Sequence, residues 1–134
     1  MLKPKKNLGQ NFLIDQIVLN RILEAVNPKK EDKFFEIGSG KGALTKKLIL
    51  KVESIESVEI DKDLIPGLKK LKLISPEFKV HEDSILNLEL NKLSQGKFKF
   101  RVIGNLPYNL SSRIMLWSFK NSANILDLHY MFQK

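Results

Sequence analysis

The sequence predicts an α/β protein built on a mostly parallel sheet with helices on both faces. Short apolar runs of strand length alternate with helical patterns along most of the chain. A glycine-rich turn, Gly38-Ser39-Gly40-Lys41-Gly42, joins the first strand pattern to a helix pattern. The composition, 43% hydrophobic and 28% charged over 134 residues with no cysteine, suits one domain held by packing rather than by disulfides.

The elements follow in order. Residues 1–14 read as a polar, lysine-bearing lead. Asp15 reads as an N-cap, and Ile17, Val18, Ile22, Leu23 and Val26 recur at helical spacing, which predicts a helix over Asp15–Val26 with Pro28 just past its end. Lys33–Ile37 is a buried strand running into the glycines. Ala43–Lys51 is helical, and Ser54–Ile60 alternates as a strand does. Asp63–Ile74 reads as one helix with Pro66 in its first turn. Phe78–His81 is a brief strand, and Leu88–Gln95 is a short helix closed by Gly96. Phe98–Gly104 is a strand, Ser111–Phe119 a helix capped near Ser111 or Ser112, and Ile125–Phe132 a last strand that reads as central. Strands alternating with helices imply parallel pairing with both faces covered. Because the chain stops soon after that strand and leaves its far edge bare, the sequence reads as truncated at its C-terminus.

Composition narrows the function. The net charge is +8, from 23 basic and 15 acidic residues, which favours a polyanionic partner. No apolar run reaches the length of a membrane span, and the basic N-terminus lacks the apolar core of a secretory signal. This gives no membrane association and a cytoplasmic location. The two histidines, His81 and His129, are far apart and lack ligand spacing, so no metal is expected. Lys46, Lys47 and Lys51, and likewise Lys69, Lys70 and Lys72, read as solvated helix faces. Lys3, Lys5, Lys6 and Arg113 are candidates for phosphate contact, while His81 and Trp117 read as packing residues.

The glycine loop, with Gly38 and Gly40 as its ligand-facing members, lets the backbone pass close to a nucleotide-like ligand. Its spacing is neither the dinucleotide fingerprint nor a Walker loop. Glu36 just before it is awkward for a phosphate and suits a ligand with a cationic centre. Glu59, ending the second strand, is placed to accept both ribose hydroxyls, and Asp83, after the third strand, to grip adenine. An acidic lining without a phosphate cradle points to S-adenosylmethionine rather than NAD.

Asn105-Leu106-Pro107-Tyr108 reads as a turn after the fourth strand. The exocyclic amine of adenine is a poor nucleophile because its lone pair is delocalised into the ring. The Asn105 amide oxygen and a backbone carbonyl aimed by Pro107 can accept both of its N–H bonds and turn the lone pair toward a methyl donor. Tyr108 can stack on the base. A sulfonium is a good leaving group, so positioning and electrostatics suffice without a strong general base.

Three stretches together, Asn7–Asp15, Glu36–Thr45 and Gly104–Ser111, resemble the small-subunit ribosomal RNA adenine N6,N6-dimethyltransferase family over nearly the whole chain. The resemblance implies a Rossmann-like class I methyltransferase fold and an enzyme using S-adenosylmethionine. It implies dimethylation of two adjacent adenines near the 3′ end of small-subunit rRNA, on a pre-30S particle, by a monomer. It also implies that Asn11 and Leu13 touch the cofactor, Gly38 lies under it, Glu59 and Asp83 hold its ribose and adenine, and Asn105 stands between cofactor and base. Members usually have proline where Ser39 stands. Residues 1–134 would be an incomplete cofactor domain, lacking the last strands and the C-terminal helical RNA-binding domain. Two alternatives stand beside this reading. One is a noncatalytic rRNA-binding assembly factor or an inactive fragment. The other is a large-subunit rRNA adenine methylase of the antibiotic-resistance type, which Leu106-Pro107 and the Asn7–Asp15 stretch disfavour.

Overall fold

A computed structural model describes the backbone of residues 8–133 and the side chains of residues 16–132. Five strands form one sheet in the order β3-β2-β1-β4-β5, and every pairing is parallel. They are β1 (Lys33–Ile37), β2 (Ser54–Glu59), β3 (Lys79–Glu82), β4 (Phe100–Pro107) and β5 (Ile125–Gln133). The helices are α1 (Leu8–Val26), α2 (Ala43–Leu48), α3 (Ile65–Lys69), α4 (Leu90–Ser94) and α5 (Ser111–Lys120). The order runs outward from β1 to β3 on one side and from β4 to β5 on the other. The β1–β4 boundary is therefore the topological switch point, beyond whose carboxyl ends ligands of such sheets bind.

The alternation of side chains along the strands separates two cores. On one face Phe34, Ile55 and Ile103 pack under α1, α2 and α3 through Leu23, Val26, Leu44, Leu48, Leu68 and Leu71. On the other, Phe35, Val58, Phe100 and Val102 pack under α4 and α5 through Leu90, Ile114 and Trp117. Trp117 also donates its indole N–H to the Leu88 carbonyl at 2.8 Å, and His81 pairs with Glu56 at 3.0 Å, so both serve packing.

Several boundaries differ from the sequence reading. The first helix begins at Leu8 rather than after an Asp15 cap, so the second half of the expected lead is helical. The α2 helix ends at Leu48, and a turn to Val52 follows in which Lys51 and Val52 donate to the Leu48 carbonyl. The single helix expected over Asp63–Ile74 is a 3₁₀ turn at Lys62–Leu64, then α3, then a second 3₁₀ turn at Lys70–Leu73. Pro66 opens α3, where its missing N–H costs nothing, and Gly67 follows, a weak helix former in a five-residue element. α5 starts at Ser111, but no serine side chain caps it. β5 pairs only with β4, so among the described residues its far edge is bare, as the sequence reading expects. β4 runs three residues further than expected, because its register with β5 extends to Pro107 opposite Gln133.

At the amino ends of the strands, Arg101 ties together segments distant in sequence. Its guanidinium, 13% exposed, holds Asp127 in a bidentate pair at 2.9–3.1 Å and Asp32 at 2.8 Å. It also donates to the Val26 carbonyl at 2.7 Å, closing the end of α1, and lies over the Phe34 ring.

Candidate functional site

The carboxyl ends of β1, β2, β3 and β4 surround a cavity of about 340 Å³. β1 delivers the chain into the glycine loop, where Gly38, Gly40 and Gly42 adopt φ of 68, 58 and 86°. Side chains rarely tolerate that region, so the loop needs glycines to turn this tightly between strand and helix. Gly42 then takes the N-cap position of α2.

Gly38, Gly40, Glu59, Asp83, Asn105 and Pro107 all line this one cavity. The residues expected to bind cofactor and substrate, scattered over 70 positions of sequence, thus converge at the switch point. Tyr108 does not line it. It sits on the rim, 64% exposed, and opens a 3₁₀ turn over Tyr108–Leu110. Asn11 and Leu13 lie on the first turns of α1, and their side chains fall outside the described residues, as do Lys3, Lys5 and Lys6 entirely.

Glu59 is 7% exposed. Its Oε1 accepts the Gly40 N–H at 2.7 Å and its Oε2 accepts the Asp61 N–H at 3.0 Å. The glycine loop and the end of β2 are thereby fastened to one carboxylate, and each oxygen keeps a lone pair for a further donor. Asp83 accepts the Asn87 amide at 2.8 Å and the Ser84 N–H at 2.7 Å, both on Oδ1. These two bonds hold its carboxyl below the ordinary aspartate range, so it is charged at neutral pH.

Asn105 belongs to β4 itself, one residue beyond the last β1 partner, Gly104 opposite Ile37. It is not in a turn after the strand. Leu106, next along, is buried and points into the α5 side of the sheet. Gly104 makes this crossing possible, because a Cβ there would stand 3.0 Å from Leu106 Cδ2 and 3.1 Å from the Ile37 carbonyl.

Glu36 departs from its expected role. It is absent from the cavity lining, is 2% exposed, and accepts a hydrogen bond from the Thr45 hydroxyl at the start of α2. Burial pushes its carboxyl up to about 7. That value is the balance of burial and, in smaller part, the Glu59 charge, which raise it, against the Thr45 bond and the nearby Ser39 hydroxyl, which lower it. Its register partner Ser57 has a buried Oγ with no hydrogen-bond partner among the described residues. Among the described residues the acids that face the cavity are Glu59, Asp61 and Asp83, and no lysine or arginine lines it. That donor set suits hydroxyls, an amine and a cation, and opposes a phosphate. The sequence reading missed Ile60, Asp61, Ile85 and Leu110 among the lining residues. Their signal was position alone, directly after strand ends.

A second cavity, also about 340 Å³, lies between α5 and β5 and is lined by Met115, Phe119, Leu126 and Leu128. Its one charged group, Asp127, is held by Arg101, so it offers no chemistry.

Comparison with known proteins agrees with this geometry. The profile of the family described as Ribosomal RNA adenine dimethylase matches residues 1–134. The ribosomal RNA small subunit methyltransferase A of Pseudomonas syringae pv. tomato is 41% identical over 132 residues, covering 98% of this chain and 49% of that protein. The chain spans about half the length of the curated relatives it matches. Among solved structures, a dimethyladenosine transferase from Plasmodium falciparum superposes with a TM-score of 0.72 at 28% identity, over 87% of this chain and 41% of that one. The 23S rRNA methyltransferase ErmE gives 0.73 at 25% identity, over 87% and 45%.

Proposed function

Because the chain belongs to the ribosomal RNA adenine dimethylase family, whose members are S-adenosylmethionine-dependent methyltransferases, we propose that it methylates N6 of adenine in small-subunit rRNA. The finer form of this reading is dimethylation of two adjacent adenines near the 3′ end, by a monomer acting on a pre-30S particle in the cytoplasm. The observation that carries it is the convergence of Gly38, Gly40, Glu59, Asp83 and Asn105 on one cavity at the β1–β4 switch point.

The lining fits the cofactor. Among the described residues, three carboxylates and no basic side chain line the cavity, which matches a positively charged ligand bearing a diol and an adenine amine. When bound, the cofactor supplies an electrophilic methyl group on a sulfonium sulfur. Glu59, already fixed by two backbone N–H groups, accepts the ribose hydroxyls on its remaining lone pairs. Asp83 accepts the amine of the cofactor's adenine. Gly38 and Gly40 keep the loop free of side chains where the ligand passes. The family resemblance assigns Asn11 and Leu13 of the N-terminal segment to cofactor contact as well.

Asn105 and Pro107 act on the target base. The Asn105 amide oxygen and a main-chain carbonyl beside Pro107 accept the two N–H bonds of the target amine, which directs its lone pair toward the methyl group. The exposed Tyr108 ring stacks on the base once it has left its helix or loop. The rate then comes from orientation and from carboxylates placed in advance of the reaction.

The test is incubation of the chain with labelled cofactor and, in parallel, undermethylated small-subunit particles and unmethylated large-subunit RNA, followed by nucleoside analysis of each RNA. Label in N6,N6-dimethyladenosine of the small-subunit RNA supports the reading. The likeness to ErmE favours a second reading, methylation of large-subunit RNA. Label confined to that RNA decides for it, and no label in either rejects both.

A further inference from the structure

Two adjacent surface segments carry lysines and no acid. Residues 43–52 hold Lys46, Lys47 and Lys51, and residues 64–76 hold Lys69, Lys70 and Lys72; neither stretch contains an aspartate or glutamate. The fold sets them side by side. Leu44 and Leu48 of α2 share a core with Leu68 and Leu71 of the α3 segment, and a Cβ on Gly42 would lie 3.2 Å from Leu68 Cδ2. Five of the six lysines are exposed and Lys47 is half-buried. None has a carboxylate within ion-pair distance among the described residues, whereas Lys30 and Lys92 elsewhere pair with Glu53 and Glu89.

Helix termini do not account for this. Several of these lysines sit in last turns, where a cation complements the carbonyl end of a helix. One such charge serves a helix of five or six residues. Six unpaired cations on one flank repel each other and weaken the fold slightly, a cost that a polyanion removes. The ledge begins close to the site, since the Lys46 N–H closes the first turn of α2 onto the Gly42 carbonyl of the glycine loop at 2.8 Å.

We propose that this lysine ledge is a second RNA contact, one that grips the sugar–phosphate backbone of a double-helical segment without reading its sequence. From the reading above it takes only that RNA is the partner. Lysines act as point charges toward phosphates, while sequence readout in a groove favours the guanidinium fork, and the ledge has no arginine. The exposed Leu50, Leu73 and Ile74 beside it do not make it a membrane anchor, because they lie in the turns after helices too short to present an amphipathic face.

The experiment uses the full chain and a labelled RNA hairpin whose stem exceeds one helical turn. Binding is followed from roughly 50 to 200 mM salt for the wild type, for Lys46→Gln/Lys69→Gln/Lys70→Gln/Lys72→Gln, and for a control with Lys30, Lys92, Lys97 and Lys120 changed to Gln. The ledge variant is expected to lower the slope of log affinity against log salt by about 3, and the control by less than about 1. The matching Lys→Arg variant keeps the slope, which separates charge from folding. Equal slopes for ledge and control overturn the proposal. So does a wild type that binds phosphatidylglycerol vesicles but not the hairpin. Methyl transfer with an unchanged slope removes the ledge and keeps the methyltransferase. A lowered slope without methyl transfer keeps the ledge and removes the methyltransferase.

Discussion

Replacing Glu36 by glutamine should make the protein more stable at alkaline pH. The unfolded chain releases the Glu36 proton near 4.5, while in the fold burial pushes the carboxyl up to about 7. Between those values the folded chain holds a proton that the unfolded chain has lost. Raising the pH through that window therefore favours unfolding. The stability involved is fully present below the unfolded value, falls as pH rises to the folded value, and is level above it. The gap corresponds to about 3 kcal/mol. The amide of Glu36→Gln is neutral throughout and still accepts from the Thr45 hydroxyl. The variant should match the wild type within about 1 kcal/mol at pH 5 and exceed it by about 3 kcal/mol at pH 8. Trp117, the single tryptophan, packs against Phe35 in the core, so its fluorescence reports urea unfolding across a pH series. If both proteins lose stability in parallel from pH 5 to 8, or the variant is the weaker at pH 8, Glu36 is already charged in the fold at pH 5 and the reasoning fails.

Three further outcomes follow from the geometry. Arg101→Met removes the ion-pair partner of Asp32 and leaves Asp127 only His129, at 3.2 Å, and should cost about 3 kcal/mol, lowering the melting temperature by roughly 10 °C in a scan; a shift of a degree or two would deny the clasp its role. Asn105→Ala should lower the methyl-transfer rate on the order of 10²–10³-fold while cofactor affinity by calorimetry stays within a few-fold, and an equal loss in both would place Asn105 in cofactor binding alone. Gly104→Ala drives a Cβ against the Ile37 carbonyl, which as backbone cannot swing aside. It should cost about 1–3 kcal/mol, and unchanged urea unfolding would show that the β1–β4 contact yields.

The parts of this molecule that were legible in the sequence are those whose demands are local. Three glycines within five residues announce a turn of positive φ, because few other residues occupy that region. The strands Lys33–Ile37 and Ser54–Glu59 carry their own pattern, and a carboxylate ending a strand, such as Glu59, is placed at the ligand end of a parallel sheet by topology alone. Asn105, expected at the site, lines the cavity, but it belongs to β4 rather than to a turn after it. Asn and Pro locally favour turns, and the force that keeps them in β4 is the register with Met131 and Gln133 on β5, which no local window contains. The α3 segment failed the other way: its apolar spacing is helical, but Pro66 and Gly67 break a short element into 3₁₀ turns.

The charges followed the same division, and that bears on how the site works. Glu36 beside the glycines read as an acid for a cationic ligand. Its side chain instead turns under the loop to Thr45, nine residues on, and is half neutral near pH 7. Arg101 lies within the strand predicted over Phe98–Gly104 with nothing local to mark it, and its partners lie 69 and 26 residues away. Both are buried polar groups that join elements rather than touch a ligand. Arg101 locks the end of α1 and β5 to the amino edge of the sheet. Glu36 and Glu59 fasten the glycine loop at the carboxyl edge, one to α2 and the other to the loop's own N–H. A site that depends on positioning needs a loop that does not rearrange when the ligand arrives. These carboxylates supply that rigidity at the one end of the sheet where glycines would otherwise leave the backbone loose.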